Sequence, residues 1–116
     1  MVLIHDQYIQ DLAAILRSNP QYYIISTNVP YGPSNRIIGE IDVLALGHDF
    51  FDLFEVKGSC DPGNMRKAIS QLNIAWHILG NNGDNFIYTP KRGIQSLEEV
   101  THYLSRKKSW REERKR

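Results

Sequence analysis

The sequence predicts a single α/β domain in which helices pack on both sides of a small, mixed central sheet. Three observations predict this class. Stretches rich in β-branched and aromatic residues alternate with stretches whose apolar residues recur at helical spacing. The chain has 116 residues, a length that fits one domain with a modest core. Apolar residues make up 41% of it and charged residues 23%, a balance typical of globular proteins.

The first half of the chain is expected to form one helix and three strands. Residues 4–18 place apolar side chains on one helical face, and the Asn19-Pro20 pair ends this helix. Three segments rich in β-branched and aromatic residues are expected to be strands: 21–29, 36–46 and 50–57. The turn at residues 47–49 is short enough to join the second and third strands as a hairpin.

The second half is expected to form a helix, a short strand and a last helix. The clearest amphipathic stripe comprises Met65, Ile69, Leu72, Trp76 and Leu79, and it is expected to face the core. Gly80 stands where a helix C-cap belongs. Residues 85–89 predict a fourth strand, and Ser96-x-x-Glu99 has the spacing of a capping box for the last helix.

Charge is unevenly distributed along the chain. Residues 1–90 contain five Lys/Arg against nine Asp/Glu, whereas residues 91–116 contain nine Lys/Arg against four Glu. Most of the late Lys/Arg residues lie at 106–116. We divide the chain into a domain at 1–105 and a basic C-terminal extension at 106–116. The extension suits a polyanion-binding arm, with a solvated helix end or an arm that holds a second subunit as the alternatives.

The composition also bears on location. The single cysteine, Cys60, excludes an intramolecular disulfide and a zinc site built from several thiolates. The start MVLIHDQY has no basic leader, so we expect no secretory signal. No apolar run is long enough to cross a bilayer, so we expect no membrane partner. The expected location is cytoplasmic, or the interior of a host cell if the protein is viral.

The stretch GEIDVLALGHDFFDLFEVKGS interrupts two apolar strands with charged side chains. If the second and third strands pair as a hairpin, Asp42 comes near Glu55 across the ladder, at about 5 Å or diagonally at about 7–8 Å. Two carboxylates this close repel each other, and a divalent cation removes the conflict. Mg²⁺ commonly binds one or two carboxylates plus waters, and the Val56 carbonyl can add an oxygen. Lys57 points the same way as Glu55, where it can orient a metal-bound water or stabilise phosphate charge.

These residues resemble the core motif of the PD-(D/E)xK nuclease superfamily. Gly39-Glu40-Ile41-Asp42, a gap, and Glu55-Val56-Lys57 carry the resemblance, with Ile41 in place of the usual proline. The resemblance implies a restriction-endonuclease-like core of helix, three-stranded meander, helix and strand, which matches the expected order over roughly residues 4–90. It also implies Mg²⁺ or Mn²⁺ at the two acids and a water-assisting role for the lysine. A solvated strand edge with a cross-strand ion pair is the alternative interpretation of E-x-K.

Several further residues are candidate neighbours of this site. Many members of the superfamily carry an acid on the first helix, and some carry a glutamine on the helix after the third strand or, in archaeal Holliday-junction resolvases, a serine near E-x-K. The candidate site neighbours in this chain are Glu40, Asp11, Gln71 and Ser59. The candidate nucleic-acid contacts are Arg36, Arg66 and Lys67. The four histidines show no metal-ligand spacing and are expected to be ordinary.

The leading hypothesis is a Mg²⁺- or Mn²⁺-dependent nuclease that acts on DNA, with RNA left open. The chain has little room for a sequence-reading module, so a structure-specific or nonspecific endonuclease fits better than a restriction enzyme. Analogy with the resolvases adds an expected homodimer and branched DNA as substrate. The second hypothesis is a nucleic-acid-binding or assembly subunit that keeps the fold without turnover. The third is an ordinary α/β interaction domain with a solvated charge cluster.

Overall fold

The computed structural model describes the backbone of residues 3–80 and 82–114 and the side chains of residues 3–80 and 82–106. The helices are α1 (Ile4–Arg17), α2 (Pro62–Leu79) and α3 (Leu97–Arg114). The strands are β1 (Tyr22–Tyr31), β2 (Gly39–Gly47), β3 (Phe51–Val56), β4 (Asn85–Thr89) and β5 (Gly93–Ser96). The α/β class is therefore confirmed. The sequence did not predict β5, which is only four residues long.

The five strands form one open, mixed sheet in the order β1-β2-β3-β4-β5. β1, β2 and β3 pair antiparallel as a meander, and the predicted β2–β3 hairpin is confirmed by the pairing of Val43 with Phe54 and Leu46 with Phe51. β4 runs parallel to β3, because α2 carries the chain back between them. The carboxyl ends of β3 and β4 consequently lie at the same edge of the sheet.

Helices cover both faces of the sheet and give the fold three layers. α1 packs on one face, where Ile9, Leu12 and Leu16 meet Val43 and Phe54. α2 and α3 pack on the other face, where their buried residues meet those of the strands: Met65, Leu72, Val100, Leu53 and Ile87. Among the described residues, none of the helices combines the length and the apolarity that a membrane crossing requires.

The buried stripe of α2 differs from the predicted one. The side chains that α2 buries are Met65, Ala68, Leu72 and Ala75. Trp76 is 43% exposed and Leu79 is 37% exposed, so the expectation that both face the core is wrong. The small Ala68 and Ala75 side chains are fully buried, so the face of α2 that contacts the sheet is centred on them. The larger Trp76 and Leu79 side chains lie at the edge of that face.

The predicted C-cap of α2 and the predicted capping box of α3 are confirmed, and Asp61 caps the start of α2, which the sequence analysis did not predict. The Asp61 side chain accepts a hydrogen bond from Asn64 N at 3.0 Å, and Gly80 takes the left-handed conformation at φ 62°. Ser96 and Glu99 form the reciprocal bonds of a capping box, at 3.1 and 3.2 Å. The α3 backbone continues to Arg114, and the side chains of the basic extension beyond Arg106 lie outside the described residues.

Candidate functional site

The predicted carboxylates meet where the β2–β3 ladder ends. Val43 pairs with Phe54, so the next position along each strand brings Asp42 and Glu55 together. Asp42 Oδ2 accepts a hydrogen bond from Val56 N at 2.8 Å, so this carboxylate takes the place of a backbone partner for β3. The side chain of Asp42 is 14% exposed. Its position is thus fixed by the same strand that carries Glu55.

Glu55 is a buried carboxyl group beside a second carboxyl group. It is 3% exposed, and burial together with the negative charge of Asp42 raises the pKa of Glu55 to about 8. A hydrogen bond between the two side chains also raises this pKa, while the Lys57 ammonium acts in the opposite direction. At neutral pH the pair therefore holds a proton that a bound cation would displace.

Lys57 follows directly after β3 and is partly buried. Its backbone N–H donates to Tyr88 O at 3.0 Å, which ties the end of β3 to β4. Its ammonium group is near enough to Glu55 to act on the ionisation of that carboxyl. The structure therefore brings together all three residues of the predicted catalytic set, as the alternation of side chains along the strands indicates.

His5 belongs to the same cluster, although no pattern in the sequence pointed to it. The residue lies in the first turn of α1, and its Nε2 is 3.0 Å from Val56 O and 3.6 Å from Asp42 Oδ2. The contact with Val56 spans 51 positions of the chain. No local spacing could have revealed it, because it depends on how α1 crosses the sheet.

Tyr31 is a buried neighbour of Glu55 at the end of β1. It is 8% exposed, and burial, together with the negative charge of Glu55, raises the pKa of its phenol. Gly39 faces this ring across the β1–β2 ladder. A Cβ at Gly39 would lie 2.6 Å from the Tyr31 hydroxyl, so glycine is needed there to leave room for the ring.

Two of the other predicted neighbours, Ser59 and Asp11, have hydrogen-bond partners away from the carboxylates. Ser59 Oγ donates to Asp61 Oδ2 at 2.7 Å and thus belongs to the start of α2. Asp11 accepts from Gln7 Nε2 at 2.8 Å on the exposed side of α1. The side chains of Glu40 and Gln71 are exposed, and so are those of the three candidate nucleic-acid contacts, Arg36, Arg66 and Lys67.

The donor atoms at the site fit a hard divalent cation. Asp42 and Glu55 supply carboxylate oxygens and Val56 supplies a carbonyl beside them, which is the donor chemistry that Mg²⁺ and Mn²⁺ accept. Within residues 3–80 and 82–106, whose side chains the structure describes, no three His, Cys, Asp or Glu side chains are arranged as a ready metal cluster. A site of this kind would take its remaining ligands from water.

The chain matches no protein-family model and no curated protein with significant sequence similarity. What bears on its function is therefore the geometry of this site.

Proposed function

We propose that the protein is a divalent-metal-dependent nuclease that hydrolyses phosphodiester bonds in DNA. The observation that carries this proposal is the buried pairing of Asp42 with Glu55, with Lys57 beside them. Burial and the negative charge of Asp42 raise the pKa of Glu55 to about 8, so it is unfavourable to hold both carboxyl groups as free anions. It becomes favourable when a cation shares both groups, and such pairs of acids are typical of functional sites.

The roles of the residues follow from their positions. Asp42, Glu55 and the Val56 carbonyl would hold the cation at the carboxyl end of β3. When bound, the cation supplies Lewis acidity toward the phosphate and a water of lowered pKa. Lys57 orients the attacking water or stabilises the charge that develops on the phosphate oxygens as the bond to the leaving oxygen breaks. Asp42 is held ready for its role by the hydrogen bond from Val56 N.

The topology supports a restriction-endonuclease-like core. The chain runs through α1, the antiparallel β1–β2–β3 meander, α2 and the parallel strand β4. This is the order that the resemblance to the PD-(D/E)xK superfamily implies, and the acids stand at the matching places on β2 and β3. By the same analogy we propose that the nuclease is a structure-specific endonuclease and that it acts as a homodimer on branched DNA.

Cationic side chains stand where a DNA strand could approach. An open groove next to the site is lined by residues 30–37 and by Leu79. It shares Tyr31 with the carboxyl cluster, and Arg36 lines it with an exposed guanidinium group. Arg66 and Lys67 are exposed on the first half of α2. Contacts of this kind hold phosphates without reading the base sequence.

Cleavage assays with metal and with variants test the proposal. Single-stranded, duplex, flap and four-way-junction DNA, and RNA, would be incubated with Mg²⁺, Mn²⁺ or EDTA. We expect metal-dependent cleavage that falls at least about a hundredfold in both variants. Asp42→Asn weakens the hold on the cation, and Lys57→Met removes the ammonium group that acts on the water or the phosphate. Asp49→Asn is the matched control, since Asp49 lies in the exposed β2–β3 turn at the other end of the hairpin.

The other results separate the alternatives. Salt-sensitive DNA binding without cleavage would select the non-catalytic nucleic-acid-binding subunit. Neither binding nor cleavage would select an ordinary interaction domain. Cleavage that survives in both Asp42→Asn and Lys57→Met would place the chemistry elsewhere and contradict the proposal.

A further inference from the structure

The turn that follows β4 lies at the same edge of the sheet as the candidate catalytic residues. β3 and β4 run parallel, and the Lys57 N–H donates to Tyr88 O at 3.0 Å. The β4–β5 turn comprises residues 90–92. Successive Cα atoms are about 3.8 Å apart, so the Cα of Lys91 is at most about 11 Å from that of Tyr88. The turn therefore lies close to Lys57.

Two hydrogen bonds through Thr89 hold this turn in place. Thr89 is fully buried, and its Oγ1 accepts a hydrogen bond from Arg92 N at 3.2 Å. The same oxygen lies 3.3 Å from Cys60 Sγ, which belongs to the short segment between Lys57 and α2. The segment after β3 and the turn after β4 are thus joined directly, and the turn has a fixed position relative to the site.

Two exposed cationic side chains, Lys91 and Arg92, occupy the turn. The Arg92 guanidinium group lies over the Tyr103 ring of α3, 4.6 Å from the ring centroid. This stacking restricts the side chain and leaves the N–H groups at the edge of the guanidinium plane able to donate. Neither cation forms an ion pair with a carboxylate among the described side chains. Both are therefore available to an anion, and Arg92 is already ordered to receive one.

The anion that suits this arrangement is the backbone of a nucleic-acid strand. Residues 1–90 contain nine Asp/Glu against five Lys/Arg, so cations near the site are not part of a generally basic surface. Phosphates of one strand follow each other about every 3.4 Å along the helix axis, so the distance from Lys57 to the turn spans about three phosphates. A strand can contact both places at once, whereas a single free phosphate can occupy only one.

We propose that Lys91 and Arg92 hold the phosphate backbone of the DNA strand on the β4 side of the site, within about three nucleotides of the bond that is cut. This inference rests on the proposed function, because it takes the reacting phosphate to lie at Lys57. The contacts are to phosphates and not to base edges, so they position the strand without reading its sequence.

Salt-dependent binding tests the inference. Binding of duplex and four-way-junction DNA would be measured in EDTA over a range of salt concentrations, and KM for cleavage with Mg²⁺. We expect Lys91→Gln and Arg92→Gln each to weaken binding at least about threefold and to raise KM similarly. Each should also reduce the slope of log affinity against log salt by about one, because it removes one phosphate contact. Arg92→Lys keeps the charge and should keep the slope.

Arg17→Gln is the matched control. Arg17 is exposed in the last turn of α1, about 18 Å along the helix from His5, which contacts the site. Its replacement should change neither the affinity nor the salt slope. Single neutral methylphosphonates in the DNA locate the contact. Within about three nucleotides of the cut they should weaken binding to the wild type, but not further weaken binding to the variant that lacks both Lys91 and Arg92.

The outcomes separate this inference from the proposed function. If the wild type cleaves DNA but Lys91→Gln and Arg92→Gln match Arg17→Gln in affinity and KM, the role of the turn is overturned while the proposed nuclease stands. Weaker binding with an unchanged salt slope would also overturn it, because the loss would then come from the fold and not from a phosphate contact. If the wild type neither binds nor cleaves DNA, the proposed function fails together with the inference.

Discussion

Two buried acids on β3 show how differently one strand can use a carboxyl group. Asp52 and Glu55 are each 3% exposed. Asp52 accepts hydrogen bonds from the Tyr22 hydroxyl at 2.5 Å and from Asp84 N at 2.7 Å, so donors surround it. Glu55 instead faces the carboxyl group of Asp42, and its pKa rises to about 8. Burial is the same at both positions, but the partners differ.

The difference separates a structural carboxylate from a candidate ligand. The two hydrogen bonds of Asp52, one to each carboxylate oxygen, tie β1 and the residue before β4 to β3. The Glu55 carboxyl group has no comparable pair of donors in the described part of the chain. It keeps its own proton beside Asp42, and a bound metal ion could replace that proton. Among the described residues, no buried side-chain nitrogen or oxygen lacks a hydrogen-bond partner. The buried oxygens of Asp52 and Glu55 are therefore both satisfied within the fold.

The largest expected effect concerns the pH dependence of stability in EDTA. The pKa of Glu55 in the folded state is about 8, above its ordinary value of 4.5, so between these pH values the folded state holds the proton more tightly than the unfolded state does. The free energy of unfolding should therefore fall as the pH rises from about 4.5 to 8, by on the order of 4 kcal/mol. Urea titrations of the wild type and of Glu55→Gln would measure this.

Glu55→Gln should match the wild type near pH 4 and be the more stable protein near pH 9, because the amide never ionises beside Asp42. Equal stability of the two proteins at both pH values would mean that Glu55 is not held against Asp42. The comparison between the two acids of β3 would then lose its basis.

A smaller effect is expected at Asp52. Asp52→Ala removes the acceptor for Tyr22 and for the Asp84 backbone and leaves both donors without their partner, so it should lower the free energy of unfolding by about 2–4 kcal/mol. The loss should be similar with and without Mg²⁺. The exposed Asp49→Asn is the control, because Asn tolerates the positive φ of 69° at this position, and it should change stability by less than about 0.5 kcal/mol. A Mg²⁺-dependent loss at Asp52 would contradict its purely structural role.

The sequence predicted the part of the site that depends on neighbouring strands. Asp42, Glu55 and Lys57 could be placed together because side chains alternate along a strand and a short turn joins β2 to β3. The same local rules placed the strand at 85–89, the C-cap of α2 at Gly80 and the capping box of α3.

What the sequence did not predict depends on how distant elements pack. His5 reaches the site because α1 crosses the end of β3, and no spacing in the chain encodes that contact. Trp76 was expected in the core because periodicity identifies a face of α2 but not the rotation of that face, which Ala68 and Ala75 set by their small size. Both the His5 contact and the misplaced Trp76 concern tertiary packing, which local patterns do not specify.

The most direct test of the central claim, that a cation replaces the proton shared by Asp42 and Glu55, is the proton release that accompanies metal binding. Calorimetry at pH 7 in two buffers of different ionisation enthalpy measures it. Because the pKa of Glu55 is about 8 without metal, we predict the release of close to one proton for each Mg²⁺ or Mn²⁺ bound, and much less in Glu55→Gln. Metal binding that releases no proton in the wild type would contradict the account.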